Sequence, residues 1–309
     1  MDGHATLARE DWLSLRGAHE RAVDQLTAAR RTRIRHQLKH PVEDFLFDYY
    51  PIRIGHLRRW NPGVGTVLAE APEFRARRGY RSASGTTDFA ADPRCFLDGE
   101  LANRGDHAVR VRELLVRTSQ RPPRYACFGL HEWAMVLGLD AHRVRHTSWR
   151  LRVSPSTVRT AIDDSGLACT HFDAFRFFTA EARPRNPLQL TRADQLQHEQ
   201  PGCLHAGMDL YRWAFELQPI VSSDLVLRCF RHAADARRID MRASPYDLVA
   251  LGLQPIPVET AAGRAVYAAE QRRLAAHGAS LRQALLDSLE LAELPAAPRT
   301  WTDPPLKRS

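Results

Sequence analysis

Residues 199–240, EQPGCLHAGMDLYRWAFELQPIVSSDLVLRCFRHAADARRID, carry the strongest fold signal in the chain. The stretch opens with a Pro-Gly turn and continues into two helical segments, 205–217 and 223–240. Ser223, which has an acid next to it, is predicted to be the N-cap of the second helix. The stretch therefore predicts two consecutive helices joined by a short turn.

Helical patterns also dominate the sequence on both sides of this stretch. A further helix is predicted to start at Ser154-Pro155 and to end at Gly166. Short strands are predicted within 144–154 and at 167–171. We expect a mainly α protein with a small β element (α+β), with the other helices at 6–40, 42–50, 54–60, 107–120, 125–139, 174–178, 262–277 and 281–291.

Residues 61–106 differ from the rest, because they are rich in Gly, Pro, Ser, Thr and Asp and lack clear periodicity. They are predicted to form a loop-rich insertion, and loops of that length tend to be functional or partly mobile. Residues 1–294 are expected to form a single compact catalytic domain that includes this insertion. The proline-rich segment 295–309 is predicted to be a disordered tail.

The composition is that of a globular protein, with 309 residues, 44% hydrophobic and 26% charged. No apolar run approaches the roughly 20 residues of a membrane-spanning helix. The N-terminal segment MDGHATLAREDW has no apolar core, so no secretory signal is predicted. The five cysteines are scattered without a CxxC pair, which favours reduced thiols. We expect a cytoplasmic protein with no membrane partner.

The balance of charges is basic, with 44 Lys+Arg against 36 Asp+Glu and a net charge of +8. Arginines cluster within 30–35, at 58–59 and within 75–78. Nucleic acid is a candidate partner, because a polyanion releases counterions when it binds such a surface. An arginine-rich, alanine-rich composition also results from GC-rich coding, and that alternative stays open.

The segment CFGLHEWAM (127–135) places His131 and Glu132 among aromatic residues on a predicted helix. The zinc-protease pattern needs a second histidine four positions after the first, where this chain has Met135. A protease of that class is therefore excluded. The two alternatives are an acid–base or ligand pair, and a buried polar pair satisfied by the backbone.

The segment CTHFDAFRFFT (169–179) contains His171 and Asp173 among four phenylalanines. If the chain is extended here, the two side chains point to one face. Alternatively, Asp173 caps the following helix and lies near Arg176 at helical spacing. Because an unpaired buried carboxylate is costly, Asp173 is expected to be paired or functional.

Two further segments carry polar groups. His205 and Asp209 lie one helical turn apart, with a spacing suited to an Asp–His hydrogen bond. Cys203 lies near the start of the same helix, where a thiolate is favoured, so a nucleophilic cysteine is an alternative. DMRASPYDL (240–248) ends the next helix with Asp240 and a Ser-Pro turn, which ordinary turn chemistry also explains.

A transition-metal site is an alternative use of these groups. His131, His171 and His205, with the intervening acids, offer the nitrogen and oxygen donors that such ions take. Their spacing along the chain matches no compact metal signature. The sequence therefore leaves the metal question open.

Five segments together resemble a bacterial family commonly named 3-methyladenine DNA glycosylase, which is distinct from the helix-hairpin-helix and HEAT-repeat glycosylases. The likeness covers roughly residues 35 to 275. It implies a cofactor-free hydrolase of N-glycosidic bonds that excises alkylated bases from duplex DNA in base excision repair. The segments are KHPVEDFLFDYY (39–50), CFGLHEWAM, THFDAFRFFT (170–179), EQPGCLHAGMDLYRWAF (199–215) and DMRASPYDL.

The resemblance suggests roles for these side chains. A glycosylase needs a carboxylate to stabilise the developing sugar cation, and Asp173 is the first candidate and Asp240 the second. His131 or His205 would orient the attacking water. The remaining predicted site residues are Glu132, His171 and Asp209 for catalysis, Trp133, Trp213 and Tyr246 for stacking on the extracted base, and Arg176 and Arg242 for binding the substrate.

Two other classes of function compete with this one. The first is a metal-dependent enzyme that acts on a small soluble metabolite through the same His, Asp and Glu groups. The second is a non-catalytic nucleic-acid-binding protein, in which the arginine clusters bind and the motif residues belong to the core.

Overall fold

The computed structural model describes residues 5–74, 77, 79–82, 95–97, 105–139 and 149–292. Within these ranges the chain is mainly helical with a small sheet, which confirms the predicted fold class. The predicted tail, 295–309, lies outside the described residues. The helices are α1 (Arg9–Arg35), α2 (Phe45–Tyr49), α3 (Ile54–Leu57), α4 (Gly105–Gln120), α5 (Leu130–Ala134), α6 (Pro155–Ser165), α7 (Phe172–Phe175), α8 (Gln195–His198), α9 (Leu204–Glu216), α10 (Ser223–Ala243) and α11 (Ala261–Leu291).

The core is built by α9, α10 and α11, which pack against one another. Helix α9 is buried on almost every side, which fits its high proportion of apolar and small residues. None of the helices in the described ranges combines the length and apolar character that a membrane crossing requires.

The predicted N-cap of α10 is wrong by one residue. Ser222 is the N-cap, because its backbone is extended and its side chain accepts a hydrogen bond from the Leu225 amide at 3.3 Å. Ser223 instead lies inside the fold, where its hydroxyl accepts from the Asn61 amide at 2.9 Å. The prediction for α6 is confirmed, with Ser154 as its side-chain cap and Gly166 at its end.

A four-stranded sheet contradicts part of the predicted loop-rich insertion. Its order is β1 (Ala5–Leu7), β2 (Thr66–Leu68), β4 (Cys95–Leu97) and β3 (Tyr80–Ser82). Strand β1 is parallel to β2, whereas β4 is antiparallel to both β2 and β3. Each strand is only three residues long, which leaves too little alternation for a sequence pattern to show.

Other predicted elements need correction. Helix α11 is continuous through Gly278, where two helices were expected, because that glycine packs against His232 inside the core. Only α5 is an α-helix within 125–139, because Phe128 and Gly129 have positive φ angles just before it. Residues 167–171 form no strand, and in 149–154 only Leu151 forms an isolated bridge, to Tyr246.

Candidate metal centre

Three helices bring His131, His205 and Asp240 together inside the protein. His131 lies on α5, His205 on the first turn of α9 and Asp240 near the end of α10. All three side chains are buried, and each offers a ligand atom within 4.8 Å of the other two. We call this set the first group. Its donors, two imidazoles and one carboxylate, are those that proteins use for divalent transition metals.

The first group contains a close ion pair. His131 Nε2 lies 2.7 Å from Asp240 Oδ1, and neither atom has another partner among the described residues. On the other side of the ring, Nδ1 lies 3.4 Å from the Cys127 sulfur. The ring is therefore held on both sides, and Nε2 and the Asp240 oxygen contact only each other.

A buried arginine neutralises only part of the negative charge beside the first group. Arg237 Nη1 donates to Glu132 Oε1 and to Asp240 Oδ2, both at 2.8 Å. All three side chains are buried. Two carboxylates thus share one guanidinium, which leaves an attraction for a further positive charge.

The protonation states of the two histidines differ. Although burial disfavours a charged imidazole, the Asp240 carboxylate holds the pKa of His131 well above its usual value. Burial, together with the neighbouring His131, lowers the pKa of His205 well below its usual value. Burial opposes ionisation of Asp240, but His131 and Arg237 lower its pKa. A metal ion would have to displace the proton from His131, because it binds the neutral imidazole.

A second set of potential ligands lies beside the first. His171 precedes α7, Glu199 follows α8, and Asp209 lies on α9. His171 Nε2 is 3.1 Å from Asp209 Oδ2 and 3.7 Å from Glu199 Oε2. We call these three buried residues the second group. The expected His205–Asp209 bond is absent, because Asp209 instead accepts from His171 and, at 2.6 Å, from the Tyr50 hydroxyl.

Electrostatic effects within the second group resemble those in the first. Burial opposes charge on His171, but the hydrogen bond to Asp209 raises the pKa of His171. Burial likewise opposes ionisation of Asp209, and the contact with His171 lowers the pKa of Asp209. Burial raises the pKa of Glu199. The pair His171–Asp209 is therefore ionic, while for Glu199 burial outweighs the opposing effects of His171 and Arg282.

His205 connects the two groups. Its ring centroid is 4.7 Å from that of His131 and 5.4 Å from that of His171, with the second pair stacked. The three histidines singled out in the sequence thus lie together. His131 and His205 line a narrow pocket with room for about one water molecule, together with Cys127, Cys169, Cys203 and Tyr267.

The cysteine just before α9 does not fit a nucleophilic role. Cys203 is half-buried, and desolvation raises the pKa of its thiol far above its usual range. The expectation that the start of α9 would favour a thiolate is therefore wrong, because desolvation exceeds the effect of the helix end.

Several predicted site residues lie apart from the two groups. Asp173 is in the first turn of α7 and pairs with Arg176 at 3.1 Å and with Arg192 at 3.3 Å. Its expected alignment with His171 on an extended strand is therefore wrong, and the alternative pairing with Arg176 is confirmed. Arg242 is on the outside of α10, where its Nε donates to the Gln254 carbonyl.

The three aromatic residues expected to stack on a base are all buried. Trp133 is fully buried and donates to the Ala243 carbonyl at 2.8 Å. Trp213 packs beside His107, and Tyr246 is 2% exposed. None of the three offers an open stacking face.

Three residues of the site were not among the predicted site residues. Glu199 is the first residue of the motif that contains His205, and that position was the available signal. Arg237 precedes Asp240 by three residues, and an arginine on the buried side of a helix signals a buried ion pair. Tyr50 lies in a motif, but its contact with Asp209 spans 159 positions and leaves no local pattern.

Comparison of the chain with protein-family models, curated proteins and solved structures finds no match. The function is therefore inferred from the geometry of the two groups.

Proposed function

We propose that the protein is a metal-dependent enzyme that acts on a small soluble substrate, with a divalent transition metal bound by His131, His205 and Asp240. One observation carries this proposal. His131 Nε2 and Asp240 Oδ1 lie 2.7 Å apart in the buried first group with no other partner among the described residues, and His205 places a third ligand atom within 4.8 Å. A metal ion satisfies both atoms at once, since each would donate a lone pair to it.

The ligand set suits catalysis. Three protein ligands leave at least one coordination position open for water or substrate. An ion there would lower the pKa of a bound water and polarise a carbonyl or phosphoryl oxygen. Arg237 would hold the second oxygen of Asp240, and the Cys127 sulfur would contact the far nitrogen of His131. Such outer contacts orient metal ligands.

The pocket beside His131 and His205 is large enough for a metal-bound water but not for a purine. Beside the histidines, the described side chains leave room for about one water molecule. An extracted base needs a pocket that encloses a whole purine. Part of the basic charge is also paired internally: Arg30, Arg33 and Arg58 each contact acidic side chains at 2.6–3.2 Å. The arginine clusters are thus partly neutralised.

Excision of alkylated bases is the second candidate, supported by the sequence resemblance and by the buried carboxylate of Asp240. A glycosylase would use that carboxylate to stabilise the sugar cation, without a metal. The two candidates differ in whether the activity depends on a metal.

The first experiment is metal analysis of the full chain, purified without an affinity tag. We expect at least one equivalent of transition metal per chain in the wild type, and a loss in the His205→Ala variant. The matched control is His56→Ala, which removes an exposed histidine far from both groups in sequence and should retain the metal. Added Zn²⁺ or Mn²⁺ should raise the Tm of the wild type and of His56→Ala, in which the first group is intact. It should not raise the Tm of His205→Ala.

The same preparations would be tested for base release from methylated duplex DNA and for turnover of small phosphate and carboxylic esters. Metal-dependent turnover of a small compound supports the proposal. Wild-type protein that neither retains metal nor gains stability from it would overturn the proposal. Base release by such metal-free protein, lost in Asp240→Asn but not in Asp173→Asn, would establish the second candidate instead.

A further inference from the structure

The second group has the geometry of a ligand set. His171, Glu199 and Asp209 lie on or next to three different helices, α7, α8 and α9. Their ligand atoms lie within 4.8 Å of one another. His171 Nε2 faces one oxygen of each carboxylate, at 3.1 Å for Asp209 and 3.7 Å for Glu199. One nitrogen and two oxygens therefore converge on one small volume.

The charge of the second group is unbalanced. Glu199 and Asp209 are each 2% exposed. Across the described ranges, neither carboxylate has a lysine or arginine nitrogen within 4.0 Å, and His171 is the only basic side chain that close. A proton on His171 offsets one negative charge, whereas a divalent cation offsets two. The first group has Arg237 in direct contact, whereas Arg282 and Arg212 act on Glu199 and Asp209 only from beyond salt-bridge distance.

The outer contacts of the second group orient its carboxylates. The Tyr50 hydroxyl donates to Asp209 Oδ1 at 2.6 Å, which leaves Oδ2 turned toward His171. The Thr118 hydroxyl donates to Glu199 Oε1 at 3.3 Å, while Oε2, the oxygen nearest His171, accepts from Gln195 Nε2 at 2.8 Å. Hydrogen bonds to the outward oxygen of a ligating carboxylate are typical of metal sites.

The two groups are adjacent. His205 belongs to the first group and stacks on His171 of the second, with ring centroids 5.4 Å apart. His205 and Asp209 also lie one turn apart on α9, so a single helix contributes to both groups. Four of the six ligands lie on helices, and helices that supply histidines and carboxylates to one buried centre are a known architecture of paired metal ions.

We propose that His171, Glu199 and Asp209 bind a second divalent transition metal, so that the protein contains a two-metal centre with three histidines and three carboxylates. This inference rests on the proposed function, which places the first ion at His131, His205 and Asp240. The mixture of imidazole and carboxylate donors favours Mn²⁺, Fe²⁺ or Zn²⁺. Two adjacent ions would stabilise both the attacking and the leaving group of a displacement at a phosphoryl or carbonyl centre.

The test is metal stoichiometry in tag-free, full-length protein loaded with Mn²⁺ and separated from free ion. We expect two equivalents per chain in the wild type. Glu199→Gln and Asp209→Asn each remove one charge with little change in shape, and each should retain one equivalent. Asp173→Asn is the matched control, because it removes a carboxylate that pairs with arginines outside both groups, and it should retain two.

Each outcome decides a different point. One equivalent in the wild type, unchanged in Glu199→Gln and Asp209→Asn, would overturn the second ion and leave the first. One equivalent that is lost both in these variants and in His205→Ala would mean that the groups share one ion, which also overturns the two-metal centre. No bound metal would overturn the proposed function itself. Circular dichroism of every variant excludes unfolding as the cause, and electron paramagnetic resonance distinguishes coupled from isolated Mn²⁺.

Discussion

His232 makes a quantitative prediction about stability at acidic pH. Its side chain lies on α10 and is 1% exposed. Two glycines leave space for its ring, since a Cβ would lie 3.0 Å from Nε2 at Gly207 and 3.3 Å from it at Gly278. Burial and then the neighbouring His277 lower the pKa of His232 to about 4, and Arg282 and Arg273 add to the effect. The buried Nδ1 has no hydrogen-bond partner among the described residues.

The sign and size of the effect follow from this shift. Above the unfolded pKa of 6.5, His232 is neutral in both states and contributes no pH dependence. As the pH falls below 6.5, the unfolded chain binds the proton first, so the folded state loses stability until the pH reaches about 4. The difference of about 2.5 pKa units, at about 1.36 kcal/mol per unit, corresponds to about 3.4 kcal/mol.

The assay compares the wild type with His232→Gln, whose amide does not titrate. Urea unfolding would be followed by circular dichroism from pH 7 to pH 4, with a chelator present so that metal release does not contribute. We expect the acid-induced loss in the free energy of unfolding to be about 3 kcal/mol smaller in the variant than in the wild type. Equal losses in the two proteins would refute the assignment of this titration to His232.

Three further substitutions test other parts of the structure. Gly263→Ala should lower the free energy of unfolding by about 3 kcal/mol, because its Cβ would lie 1.9 Å from the Pro257 carbonyl oxygen. The control Gly55→Ala has open space and should not destabilise the protein, and equal effects of the two substitutions would contradict this prediction. Arg237→Met should cost about 3–5 kcal/mol in metal-free protein, since it leaves the buried Glu132 without its guanidinium partner and Asp240 with His131 alone, and saturating metal should restore part of this. A loss below about 1 kcal/mol in urea unfolding would show that the ion pair is not needed. Tyr50→Phe should weaken binding of the second ion about 10–100-fold in a calorimetric titration, and unchanged affinity would mean that its hydroxyl does not orient the ligand.

Local physical chemistry made much of the helical content predictable. The boundaries of α6 follow from a serine cap with proline at the first turn and from Gly166 at the end. Helices α1, α4, α9 and α10 lie close to their predicted positions, because an amphipathic helix repeats its apolar residues at short range. The three-residue strands of the sheet are too short for such a repeat, and they depend on pairing between distant segments.

The sequence by itself therefore determined the mainly helical class and the segments that supply the histidines and acids of the site. Only the tertiary structure decided which of these groups meet. It pairs Asp209 with His171 rather than with His205, and it places Asp173 with arginines apart from both groups. The reason is physical: helical periodicity is a property of neighbouring residues, whereas contacts between buried charges are set by how separate helices pack.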